Sequence, residues 1–136
     1  MRNGCNLYIP RSCILIVDDC PEQGEGLGEF LGRRGFEVRT TTNAFAALSI
    51  LKRCIVSIAL VDINMPNFDG LELYKTAHLL GCKSRFILMS GHQSEVARAN
   101  LARFQDLVID KPINPYRLSD YLVSCESRSR AHTTAC

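Results

Sequence analysis

Short apolar runs alternate with longer amphipathic stretches along the chain. Cys13-Ile14-Leu15-Ile16-Val17 is an unbroken apolar run rich in β-branched residues, the pattern of a strand buried on both faces. Over residues 22–34, Leu27, Phe30 and Leu31 fall at helical spacing, and Gly35 ends the segment. Residues 36–40 predict a second strand. Asn43 is placed to cap a helix with Ala44, Ala47, Leu48 and Leu51 on one face. A third strand is predicted over 55–63. Asp69 caps a third helix reaching about Leu80, and Gly81 closes it. A fourth strand over 85–89 is followed by a fourth helix from the Ser94 cap to about Phe104. A short fifth strand covers 107–109. Asn114 and Pro115 supply a cap and a first-turn proline for a last helix, with Leu118, Tyr121, Leu122 and Cys125 inward.

Five strand–helix units predict an α/β protein: one doubly wound, five-stranded parallel sheet with right-handed crossovers and five helices on its two faces. The predicted domain covers 12–125, between a flexible N-terminal segment, 1–11, and a flexible polar tail, 126–136. In such sheets the binding crevice lies at the carboxyl ends of the strands, where strand order reverses.

Composition agrees with one ordinary globular domain. The chain has 136 residues, 46% apolar and 22% charged, too apolar for disorder. Its net charge of +2 is too small for a nucleic-acid footprint resting on charge. No apolar run is long enough for a membrane span, and the polar start has no hydrophobic segment of a signal peptide. Seven cysteines (5, 13, 20, 54, 82, 125 and 136) are scattered, with no CxxC pair. That argues against a disulfide framework or a zinc site and predicts a reducing, cytoplasmic setting.

The chemistry gathers at the strand ends. The first strand runs into Asp18-Asp19, the third ends in Asp62, the fourth in Ser90, and the fifth is followed by Lys111-Pro112. Singly, each is a common turn or cap residue. Together, at successive strand ends of one sheet, they place three carboxylates, a hydroxyl and an ammonium on one edge. Three adjacent carboxylates repel and lose hydration. A hard divalent cation relieves both, and oxygen-only ligands favour Mg²⁺. One carboxylate can then act as a nucleophile toward a phosphoryl group, with the lysine stabilising the phosphoryl oxygens.

These segments resemble the receiver domains of two-component response regulators. The resemblance runs from about Ser12 to Cys125. It rests on Ile14-Leu15-Ile16-Val17-Asp18-Asp19, on Val61-Asp62-Ile63-Asn64-Met65-Pro66-Asn67-Phe68-Asp69-Gly70, on Leu88-Met89-Ser90-Gly91-His92, and on Asp110-Lys111-Pro112. It implies a flavodoxin-like sheet of order 2-1-3-4-5. It also implies that Asp62 is the phosphoacceptor and that Asp18, Asp19, Asp62 and the Asn64 carbonyl bind Mg²⁺. Ser90 is then the switch hydroxyl, Lys111 the partner of a phosphoryl oxygen, and the Lys111–Pro112 bond often cis.

Two features depart from the family pattern. Val108 stands where an aromatic residue usually reports the phosphorylation state. The first helix carries Gly24, Gly26, Gly28 and Gly32, each costly in a helix interior. His92 borders the predicted phosphoryl site, and Cys20 fills the turn beside the acidic pair.

The expected function is a signalling receiver that takes a phosphoryl group from a sensor histidine kinase or a histidine phosphotransfer protein. It would act on a downstream protein target, with no direct contact to nucleic acid or membrane. It is not expected to be an enzyme beyond its own aspartyl phosphorylation and dephosphorylation. Two other readings use the same residues: an interaction module acting without phosphorylation, and a phosphotransferase or phosphatase with an aspartyl-phosphate intermediate.

Overall fold

The structure, a computed structural model, describes residues 11–65, 69–91 and 107–135. In chain order the elements are β1 (Arg11–Val17), α1 (Pro21–Arg33), β2 (Phe36–Thr41), α2 (Ala44–Arg53) and β3 (Ile58–Asp62). They continue with α3 (Gly70–Leu79), β4 (Arg85–Ser90), β5 (Leu107–Asp110) and α4 (Pro115–Ala135). The strands form one sheet of order β2-β1-β3-β4-β5, and every pairing is parallel. The fold class and strand order are those expected. Four helices lie among the described residues; the helix expected at 94–104 lies outside them, as do His92 and residues 1–10 of the expected N-terminal segment 1–11, whose last residue, Arg11, begins β1.

Successive side chains along a strand point to opposite faces. Leu15 and Val17 of β1 therefore join Ala59, Val61 and Leu88 under the α2 and α3 residues Ala47, Leu51, Leu73 and Tyr74. Ile14 and Ile16 join Leu60, Ile87 and Met89 under Leu31 of α1 and Leu118 and Leu122 of α4. The central strands are apolar at nearly every position because both faces are covered.

Local chemistry sets the helix ends. The Asn43 side chain accepts from the backbone N–H of Phe45 and Ala46 at 2.7 and 3.1 Å. Asp69 accepts from Leu71 N at 2.9 Å, and Asn114 from Tyr116 and Arg117 at 3.0 and 3.3 Å. α1 has no side-chain cap bond at Cys20 and starts instead on Pro21. Gly35 and Gly81 take φ of 96° and 80° at the ends of α1 and α3, a region where a Cβ is penalised.

Two boundaries differ from the sequence reading. β3 begins at Ile58, and Ile55 is 93% exposed. Cys54 caps α2, and the Ser57 N–H donating to Cys13 O at 2.9 Å aligns the chain so that Ile58 is the first residue to pair with β1. Residues 55–57 are therefore spent on the connection. At the other end, α4 continues to Ala135 instead of stopping at Cys125. No Gly or Pro interrupts 126–135, and Glu126 is buried, accepting from Ser12 N at 2.6 Å.

Candidate functional site

Three strand ends and one loop converge at the carboxyl edge of the sheet. Asp18 follows β1 and is held in a tight turn: its N–H donates to Thr41 O at 3.1 Å, and its Oδ1 accepts from Cys20 N at 2.9 Å. Asp62 ends β3, and its Oδ1 accepts from Asn64 N at 2.9 Å. Both carboxylates are buried, whereas Asp19 is exposed. Buried Ser90 ends β4 and donates from Oγ to Gly91 O at 3.1 Å. The Lys111 N–H donates to Ser90 O at 2.7 Å, which locks the lysine loop to the end of β4. The Lys111–Pro112 peptide is cis.

Side-chain distances define the cluster. Lys111 Nζ lies 3.0 Å from Asp62 Oδ2 and 3.5 Å from Asp18 Oδ2. Asp18, Asp19 and Asp62 each offer a carboxylate oxygen within 4.8 Å of the others. The start of α3 presses on the same spot: a Cβ on Gly70 would stand 2.7 Å from Ile63 Cα. Only glycine lets the helix begin this close to the end of β3.

Electrostatics follow from this crowding. Lost hydration, then the neighbouring Asp62 and Asp18, raise the Asp19 carboxyl above the usual aspartate value. For Lys111, burial pulls the ammonium down, but the hydrogen bond and charge of Asp62, and then Asp18, outweigh it and leave the group raised. Three carboxylates against one ammonium leave a net deficit of positive charge. A hard divalent cation fits this donor set: all ligands are oxygens, they lie within one coordination sphere of each other, and exposed Asp19 leaves a side open to water.

The predicted residues Asp18, Asp19, Asp62, Ser90 and Lys111 thus lie around one edge, with Asn64 exposed two residues beyond Asp62. Met65 is buried, while Pro66, Asn67 and Phe68 lie outside the described residues. Val108 sits in β5, paired with Leu88 and packed on the α2–α3 side of the core. Sequence reasoning missed Gln23, whose Oε1 accepts from Lys111 Nζ at 3.3 Å. Its place in the first turn of the helix after the acidic pair was the available signal.

A doubly wound parallel sheet with an acidic cluster, a hydroxyl and a lysine at its carboxyl edge defines an α/β domain with an oxygen-ligand site. The chain belongs to the response regulator receiver domain family, whose model matches residues 14–123. It is 34% identical over 116 residues to the transcriptional regulatory protein AruR of Pseudomonas aeruginosa, covering 81% of this chain and 46% of that protein. It is 30% identical over 118 residues to the sensor histidine kinase RcsC of Salmonella typhi, covering 86% of this chain and 12% of that protein. The chain therefore spans less than half the length of either relative. Among solved structures, a CheY-like response regulator receiver domain protein from Methanospirillum hungatei superposes with a TM-score of 0.81 at 27% identity, covering 90% of this chain and 98% of that one. The receiver family is a signalling module of two-component systems. Among the described residues, no helix is long and apolar enough to cross a membrane.

Proposed function

We propose that the chain is a phosphorylation-dependent receiver in the cytoplasm. It takes a phosphoryl group onto Asp62 from the phosphohistidine of a sensor histidine kinase or a phosphotransfer protein, and relays the change to a downstream protein target. The observation that carries the reading is the ammonium of Lys111 held 3.0 Å from Asp62 Oδ2, within a ring of two further carboxylates.

In the proposed transfer, a carboxylate oxygen of Asp62 attacks phosphorus in line, the donor's N–P bond breaks, and an acyl phosphate remains on Asp62. Asn64 N–H fixes one carboxylate oxygen and so sets the direction of the other. Lys111 follows the negative charge from the carboxylate to the phosphoryl oxygens. Ser90 Oγ, which donates to the adjacent Gly91 carbonyl, turns to donate to a phosphoryl oxygen. Asp18, Asp19, Asp62 and the Asn64 carbonyl would hold a Mg²⁺ ion, which when bound would supply charge neutralisation for these oxygens. The protein turns over no external substrate beyond its own aspartyl phosphorylation and dephosphorylation.

Incubation with Mg²⁺ and a small acyl-phosphate donor, followed by intact mass measurement, tests the reading. One phosphate should be gained by the wild type and lost in Asp62→Asn. Equal labelling of the variant removes Asp62 as acceptor. Turnover of a phosphomonoester would make the protein a phosphatase, and no uptake from any donor, phosphohistidine proteins included, would make it an interaction module.

A further inference from the structure

The edge of the sheet opposite the acidic cluster carries a groove of about 520 Å³ between the ends of α2 and α3. Its floor is apolar: Leu51, Val56 and Ala77 are buried there. Its lips are apolar as well, with Ile55 93% and Leu80 55% exposed. Singly, such side chains are ordinary on a surface. Here they border one concavity, a sign of a binding face. The groove is preformed. Ser84 Oγ donates to Val56 O at 2.6 Å, and the Arg85 N–H donates to Ser57 O at 2.9 Å. The loops after α2 and α3 are thus bonded to each other, and a ligand need not order them.

Charge names the occupant. Lys52 and Lys83 line the groove, Arg53 follows Lys52, and all three are exposed. Among the described residues, no acidic side chain lines it and no carboxylate pairs with the three cations. Lys52 and Arg53 also answer the dipole at the end of α2. Lys83 lies beyond the last turn of α3 and has no such duty. Two copies meeting groove to groove would bring like charges together. A bilayer is flat and does not fill a concavity. An amphipathic helix does, with its apolar stripe between the lips and its carboxylates over the lysines.

We infer that this groove docks an acidic amphipathic segment of a partner protein, its apolar face on Leu51, Val56 and Ala77 and its carboxylates on Lys52 and Lys83. The groove lies at the far edge from Asp62 and owes nothing to the role proposed for that residue.

Anisotropy of two fluorescent helical peptides, titrated with the full chain, tests it. One peptide carries leucines on one face and glutamates on the other; its twin has lysines for the glutamates. The glutamate peptide should bind saturably in the micromolar range of a small interface, and the lysine twin about tenfold more weakly. Joint Lys52→Glu and Lys83→Glu should weaken the glutamate peptide roughly five- to twentyfold, two exposed ion pairs lost and turned repulsive. Ile55→Ser should weaken it roughly tenfold, for one apolar side chain no longer buried. All three positions are exposed, so the fold should be retained. Iodoacetamide labelling, read residue by residue, locates the site. Cys54 and Cys82, half-buried in the groove, should be shielded by the glutamate peptide, and half-buried Cys20, beside the acidic pair, should not. No saturable binding overturns the inference. So do equal affinities for the two peptides, an unchanged affinity in the charge-reversed variant, or equal shielding of Cys20. Cys54 and Cys82 thiols already as unreactive as buried Cys125 would mean that the chain fills the groove itself. A doubled mass in light scattering, lost on the same charge reversal, would give the groove to a second copy. Binding to phosphatidylglycerol vesicles, lost in the same way, would give it to a membrane. Each of these three results also overturns the inference.

Discussion

Gly70 and Asp62 touch at the backbone: the first residue of α3 lies directly against the end of β3. A Cβ at position 70 would stand 2.7 Å from Ile63 Cα and closer still to the Asp62 carbonyl oxygen. Both obstacles are main chain and cannot rotate away. Gly70→Ala should therefore destabilise the fold by about 3 kcal/mol, the upper end for overpacking. Urea denaturation followed by circular dichroism measures it. A loss below about 0.5 kcal/mol, within the range of ordinary surface substitutions, would show that α3 can slide without cost.

Asp19 should make stability depend on pH in the absence of divalent ions. Its carboxyl is raised by lost hydration and by Asp62 and Asp18. A carboxyl raised in the native state stabilises the fold below its unfolded value of about 3.9, and the contribution is lost as pH rises through the native value. Asp19→Asn should then raise the unfolding midpoint at neutral pH in EDTA and make little difference near about pH 3. Thermal melts at the two pH values, with EDTA and with Mg²⁺, check the sign. Mg²⁺ should stabilise the wild type more than the variant.

Lys111 is the counter-charge to two buried carboxylates. Lys111→Met should cost the metal-free protein about 1–2 kcal/mol. That is less than the roughly 3–5 kcal/mol of a fully buried pair, because the lysine side chain is 27% exposed. A lysine raised in the native state stabilises below its unfolded value of about 10.4 and loses that contribution as pH climbs through its native value. The cost should thus be fully present at neutral pH and fade only in strong alkali. Saturating Mg²⁺ should recover much of it, as read by denaturant midpoints.

The glycines of α1 should separate by what surrounds them. A Cβ on Gly28 would meet Thr40 Cγ2 at 3.2 Å and Val38 Cγ1 at 3.3 Å, whereas nothing lies within 4 Å of one on Gly32. Gly32→Ala should gain about 0.5 kcal/mol, somewhat under the full helix-propensity difference because it lies near the helix end. Gly28→Ala should gain less or lose, since α1 must lift off β2. Equal gains in the two variants would mean that the α1–β2 contact has slack.

The local parts of this protein were determined by its sequence alone. Short apolar runs placed all five strands, and Asn43, Asp69 and Asn114 marked helix starts because a cap bonds to N–H groups only two or three residues away. Gly35 and Gly81 marked helix ends for the same local reason. The residues of the acidic edge were legible as well, because a parallel sheet carries every strand's carboxyl end to one side. The tertiary structure alone decided what depends on distances across the sequence. The start of β3 at Ile58 follows from its register with β1. The extension of α4 past Cys125 includes a buried Glu126 bonded to Ser12, a residue at the far end of the chain. Gln23 meets Lys111, 88 residues away, because the order β2-β1-β3-β4-β5 sets α1 beside the loop after β5. Periodicity and capping are written within one turn or one strand, but such a meeting is set only when the strands have paired and the helices have packed.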